Sequence, residues 1–143
     1  GEVHDENAAA LGGVAPHAGL FSTAPDLARF VQMLVWKGVY GHRRYVRRET
    51  VEEFTRPAEI PEGSTRGLGW DTKSPEGSSA GTLFSPDSFG HTGFTGTSIW
   101  VDPDRELFLI LLTNRVHPTR ENQQIREVRP AVADAVIRAL IAP

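Results

Sequence analysis

Cysteine is absent from this chain of 143 residues, which removes disulfides, thiolate nucleophiles and zinc-thiolate clusters together. Redox compartment is left open by the same fact. Long apolar runs are missing as well: the longest, Leu107 to Leu112, is far short of the roughly 20 residues that cross a bilayer. The first residues carry no signal-peptide pattern, so export is not legible in them. Basic excess is the third absence. Against 18 acidic residues stand 15 Lys and Arg, a net charge of -3, which gives no electrostatic footprint for a phosphate backbone and argues against nucleic acid as a partner. What is present is ordinary for a globular domain, 39% hydrophobic and 23% charged residues, in a length that suits one domain with its own core. No internal repeat or linker divides it.

Along the chain, residues 1–22 are rich in Gly, Ala and His and predict a structured loop. Thr23 opens a helix with a capping box to Asp26 and a tolerated Pro25, and Leu27, Phe30, Val31 and Leu34 form a buried stripe that Gly38 ends. A shorter helix is predicted from Glu49 to Arg56, with Val51 and Phe54 inward and Pro57 as the stop. Gly67-Leu68-Gly69-Trp70 suggests a short strand, and the Ser/Gly-rich stretch from Ser74 to Thr82 a loop or mobile flap. Three β segments follow, at about Ser88 to Thr95, Thr97 to Val101 and Glu106 to Thr113. The last two are joined by the turn Asp102-Pro103-Asp104-Arg105, which favours antiparallel pairing. Leu107 to Leu112 lacks polar alternation and is expected to be a central strand covered on both faces. A terminal helix, started or kinked by Pro130, presents Val132, Val136, Ile137, Leu140 and Ile141 as an apolar face.

The strongest local signal is Phe89-Gly90-His91-Thr92-Gly93-Phe94-Thr95-Gly96, where small residues alternate with hydrogen-bonding groups and something must approach the backbone closely. Taken alone, His-Thr-Gly is a common triplet, and glycines at a strand bend beside a solvated histidine account for it about as well. Its neighbours in order change the balance. Val3-His4-Asp5, Gly19-Leu20-Phe21-Ser22-Thr23-Ala24, Asp26-Leu27-Ala28-Arg29-Phe30, Gly67-Leu68-Gly69-Trp70, His91-Thr92-Gly93 and Leu111-Leu112-Thr113-Asn114-Arg115 together resemble the C-terminal part of the serine β-lactamase-like hydrolases. That family includes class C β-lactamases, D-alanyl-D-alanine peptidases and related esterases.

The resemblance implies an α+β fold, an antiparallel β-sheet flanked by helices, with residues 1–143 forming the C-terminal part of a β-lactamase/transpeptidase-like domain. In that family a serine in S-x-x-K attacks a carbonyl, a tyrosine in Y-x-N assists proton transfer, and a K-T-G strand lines the cleft. His91 then stands in the place of that lysine, and imidazole, unlike an ammonium, titrates near neutrality. Thr92 is implied to offer its hydroxyl to a substrate carboxylate or the hydrogen-bond network, Gly93 to let substrate lie along the strand, and Phe94 to give its backbone N–H to the oxyanion. Thr95 belongs to the same implied substrate wall. Thr119 and Arg120 follow the buried strand near where the family often binds the distal end of substrate; Arg120 could meet a carboxylate bidentately, although a solvated helix-start arginine is the more ordinary account.

The departures are large. None of Ser22, Ser64, Ser74, Ser78, Ser79, Ser85, Ser88 and Ser98 begins S-x-x-K, and neither Tyr40 nor Tyr45 begins Y-x-N. The acylating half is therefore expected upstream, and this chain alone is expected to lack acyl-transfer activity. The expected partners are a small-molecule or peptide acyl substrate and the N-terminal remainder of the same protein, and uncovered sheet faces predict self-association without it. The resemblance also implies a periplasmic or extracytoplasmic place. No cofactor is expected: His4, Asp5 and His17, with His42, His91 and His117, match no usual zinc spacing, and capping or hydrogen-bonded roles suit them better. Pro16 stands where such members often have glycine in a G-H-A-G stretch. Trp36, Trp70 and Trp100 are expected to pack in core or rim. Two other functions remain in view, a non-catalytic binding module of the same fold and an unrelated structural α+β domain.

Overall fold

Thr23 sets the first long element. Its hydroxyl oxygen accepts the Asp26 N–H at 3.4 Å and its O–H donates to the Asp26 carboxylate at 3.0 Å, so α2 (Ala24–Val35) begins where the capping pattern places it. At the far end the Lys37 and Gly38 N–H groups return to the Leu34 and Met33 carbonyls. Gly38 sits at φ 88°, the left-handed conformation that closes such an end at little cost for glycine alone. Val31, Met33 and Leu34 are buried, whereas Phe30 is 47% exposed, so one edge of the expected stripe faces outward. The structure, a computed structural model, describes residues 1–141.

Before α2 comes a five-residue helix, α1 (Glu6–Ala10), inside the stretch expected to be loop. Asp5 caps it by accepting the Ala8 N–H at 2.8 Å. After α2, β1 (Val39–Tyr40) and β2 (Arg43–Arg44) make a small hairpin, and α3 is Arg48–Thr55. Val51 is buried there but Phe54 is 45% exposed, which corrects its inward assignment. The short strand expected at Gly67–Trp70 lies just beyond it, as β3 (Asp71–Thr72).

The main sheet has the order β3-β4-β5-β6, all antiparallel, with β4 at Phe89–Thr92, β5 at Ser98–Asp102 and β6 at Leu107–Leu111. Because successive side chains alternate across a strand, the sheet serves two cores. Phe89 and Val101, with Ile99 and Phe108 beside them, pack on Val31, Met33 and Leu34 of α2 and Val51 of α3. Trp100, with Leu107 and Leu109, packs on Ala80, Phe84, Ala133 and Ile137, the last two from α4 (Ile125–Ile141). This is the α+β arrangement expected, helices on both sides of an antiparallel sheet.

Two expectations fail on β6 and α4. The unbroken run of β6 does reflect two apolar faces, since alternate residues enter different cores, but β6 is an edge strand and half-buried throughout. β4 and β5 are the inner strands. α4 starts five residues before Pro130, which lies inside it, and its inner face carries Ile125, Arg129, Ala133, Asp134 and Ile137. Leu140 and Ile141 are each 61% exposed. The stretch from Ser74 to Thr82 is a loop, the first of the two forms expected, and its far end is anchored. Asp134 accepts the Thr82 N–H at 2.7 Å, its hydroxyl at 2.9 Å and the Leu83 N–H at 3.0 Å, and Trp100 Nε1 donates to Ser79 Oγ at 3.1 Å. A buried carboxylate sews the end of the loop to α4.

Candidate functional site

Register decides which backbone groups of β4 are free. Gly93 N–H donates to Thr97 O at 2.8 Å, which continues the pairing His91↔Ile99 and Phe89↔Val101. In an antiparallel ladder alternate residues turn their backbone groups to opposite sides, so Gly90 and Thr92 turn theirs away from β5. There Gly90 meets Asp71, but β3 pairs only with Phe89 and Gly90. Thr92 faces no strand on that side among the described residues. Glycine at 90 is required by packing, since a Cβ there would drive into Ile99 O and the Trp100 ring.

β4 stops at Thr92, earlier than expected, and Gly93 to Gly96 form a turn closed by Gly96 N–H donating to Gly93 O at 3.1 Å. Phe94 and Thr95 are thus turn residues. The Phe94 N–H has no acceptor among the described residues, and its ring is 61% exposed. His91 is exposed as well. Its Nδ1 donates to Thr92 O at 2.9 Å, a bond that requires the proton on Nδ1 and leaves Nε2 bare in the neutral ring. The stretch 91–94 is an open margin, not a sealed core segment.

Around this margin the structure gathers cations that sequence reasoning missed. A cavity of about 260 Å³ is lined by Thr92, Gly93, Phe94, Arg115, Arg126 and Arg129, with Gln123 and Ile125. Arg129 Nη2 donates to Gly93 O at 2.7 Å and to Thr97 O at 2.8 Å. Arg115 Nε donates to Phe94 O at 2.7 Å, and its guanidinium lies 4.2 Å from the Phe94 ring centroid. The His4 ring stacks against the same phenyl, centroids 5.8 Å apart. Burial, and after it the charge of Arg115, lower the Arg129 pKa from its ordinary value. One signal could have exposed Arg129. It falls four residues after Ile125 and four before Ala133, inside the buried stripe of α4, and an arginine on an apolar stripe asks for a partner.

The remaining candidates lie apart. Arg120 donates to Glu6 Oε1 at 2.7 Å on the surface, and Thr119 Oγ1 accepts the Glu121 N–H at 3.2 Å. Neither lines the cavity, although Arg115 donates to the Arg120 carbonyl at 2.7 Å and so ties that segment to it. Thr95 contributes its carbonyl to the Arg115 N–H at 2.9 Å. Asp5 and His17 are engaged with each other at 3.0 Å. The cap on Ala8, and then His17, hold the Asp5 carboxyl below its ordinary value. Among the described residues no cluster of three or more metal-ligating side chains occurs.

The chain is similar to known proteins. The family pattern described as Beta-lactamase matches residues 1–133. A protein of Salmonella gallinarum named "Putative D-alanyl-D-alanine carboxypeptidase" is 41% identical over 128 residues, 87% of this chain and 29% of that protein. A Salmonella typhi protein of the same name is 40% identical over the same shares. Among solved structures, a β-lactamase from Mycobacterium bovis superimposes with a TM-score of 0.66 at 26% identity, covering 85% of this chain and 46% of that one. The chain therefore spans 29% of the length of the curated relatives it matches. With the family pattern running from residue 1 through residue 133, the chain belongs to the β-lactamase family.

Proposed function

We propose that this chain forms one wall of the active site of a serine hydrolase, acting through an acyl-enzyme on a β-lactam, a D-amino-acid peptide or a small ester. The nucleophilic serine and its base lie on a segment outside residues 1–143. The observation that carries the proposal is the Phe94 N–H, unpaired on the open margin of β4. A carbonyl under attack develops negative charge on its oxygen, and a backbone N–H already held in place stabilises it, one such donor contributing about 2.7 to 4 kcal/mol. Thr92 and Gly93 then offer the strand edge along which an acyl substrate lies. By the resemblance, His91, its Nδ1 held by Thr92 O, takes the place of the lysine of a K-T-G strand and acts as a polar contact to substrate. Thr95 completes the turn against substrate, and Thr119 and Arg120, on the segment tied to Arg115, meet its distal end.

The rest of the protein completes this wall. The outer edge of β6 is unpaired among the described residues, and Leu11, Val14, Leu20 and Phe21 are all more than half exposed, surfaces that suit a covering segment of the same protein. Without that segment the chain self-associates; a compact monomer in ultracentrifugation that binds no hydrophobic dye contradicts this.

Hydrolysis tests the function directly. The protein in which this chain follows a serine-bearing segment should turn over a chromogenic β-lactam or a nitrophenyl ester, while residues 1–143 alone should not. Saturable turnover by the chain alone overturns the division of labour. Absence of turnover in both favours the second reading, a binding module that keeps the cleft wall without the chemistry.

A further inference from the structure

A buried guanidinium needs a reason. Arg129 is 9% exposed, its Nε is buried without a partner, and among the described residues neither Arg129 nor Arg115 forms an ion pair with a carboxylate. Charges buried in this way are normally paired. Here the hydrogen bonds go instead to backbone carbonyls, Gly93 O and Thr97 O from Arg129 and Phe94 O, Arg120 O and Asn122 O from Arg115, with Gly93, Phe94 and Thr97 in or beside one turn.

A peptide unit is planar and trans, so its C=O and N–H point in opposite directions. Arg129, together with the Gly96 N–H that closes the turn, holds Gly93 O and so fixes the Phe94 N–H to the other side, where no acceptor among the described residues meets it. Hydrogen bonding at the carbonyl end also polarises the peptide and strengthens its N–H as a donor. A neutral donor from α4 would supply the first effect with less of the second. Resting on the proposed role of Phe94, we propose that Arg129, seconded by Arg115, is a positioning residue that aims the Phe94 N–H out of the turn and strengthens it toward a developing oxyanion. Because a single nitrogen of Arg129 makes both of its bonds, a lysine can retain them and a glutamine removes the charge.

Two readouts separate this inference from the function it rests on. In the protein carrying the serine, labelled with 13C at glycine carbonyls and 15N at phenylalanine and read at the Gly93–Phe94 pair, R129Q should move the Gly93 carbonyl resonance upfield and shift the Phe94 amide, and R129K should restore both. An unmoved Gly93 carbonyl in R129Q overturns the proposal. In the protein carrying the serine, R129Q should lower kcat on a nitrophenyl ester by about 10-fold, a fraction of what deleting an oxyanion donor costs, with KM unchanged and with recovery in R129K. Equal losses in the Gln and Lys variants, or a loss confined to KM, also overturn it. Should R129Q fail to fold, R115Q reports on the neighbouring peptide, with a smaller drop in kcat expected and an unchanged kcat counting against the pair. If the wild-type protein turns over nothing, the functional reading falls and the carbonyl resonance alone judges the positioning.

Discussion

The two ends of β5 hold their loops with opposite charges. Beyond Asp102, carboxylates collect loop N–H groups: Asp102 accepts from Ser85 N at 2.9 Å and from Arg105 N at 3.2 Å, and Asp134 takes those of Thr82 and Leu83. Beyond Ser98, guanidinium groups collect loop carbonyls, those of Gly93, Phe94 and Thr97. At the acidic end the charges are also balanced, Asp102 by Arg105 at 2.6 Å and Asp134 more loosely by Arg138 at 3.9 Å. At the basic end no acid among the described residues pairs with Arg115 or Arg129. A loop whose N–H groups are consumed has nothing left to donate, whereas a loop whose carbonyls are consumed keeps its N–H groups for something else. The acidic end is built to hold, and the basic end is built to hold while leaving a donor free.

The comparison is tested hardest by removing the acidic anchor. Asp102 is fully buried, and D102A strands the Ser85 N–H and the Arg105 guanidinium, a loss on the order of 3 kcal/mol in urea unfolding; a loss under about 1 kcal/mol would mean that the anchor is dispensable. D134A should cost about 2 kcal/mol by the same reasoning, softened because the site lies nearer solvent. Acid should act more gradually. Burial pushes both carboxyls up, but the N–H donors, the Thr82 hydroxyl and the arginines outweigh it and hold each below the ordinary 3.8. The unfolded chain then takes up protons first as pH falls. Stability is therefore full above the ordinary carboxylate range and is lost as pH falls through it toward the lowered folded values, a decline that D102N should flatten.

The basic end should respond in activity more than in stability. In G93A a Cβ would press on Thr97 Oγ1, tilting the turn at a cost of about 1 kcal/mol while turnover by the serine-bearing protein falls about 10-fold, a partial loss of one oxyanion donor. A variant that keeps full turnover would detach the turn from the chemistry. R120A should be smallest, within about 0.5 kcal/mol, because its partner Glu6 is an exposed surface acid; a raised KM for a carboxylate-bearing substrate would support its distal contact.

The apolar patterning and capping of α2 and the antiparallel β segments were legible in the sequence as local signals, whereas the open margin around His91 followed from the order of motifs along the whole chain. What was not legible depends on long-range partners. The rank of β6 within the sheet cannot be told from its composition, because two covered faces and a central place leave the same apolar run. Phe30 and Phe54 fit their helical stripes but face outward, where no second layer meets them. Arg129 and Asp134 sit 36 and 52 residues from the turns they hold, so their purpose shows only when the chain is folded. The end of β4 at Thr92 is likewise set by the turn that Arg129 anchors.

The proposed role of the turn rests on where an acyl oxygen goes. A crystal structure of the serine-bearing protein acylated by a β-lactam or a phosphonate ester should place the carbonyl or phosphonyl oxygen about 2.7 to 3.1 Å from the Phe94 nitrogen, with Arg129 still on Gly93 O. An acyl oxygen turned elsewhere, with the Phe94 N–H bonded to another part of the protein, would contradict it.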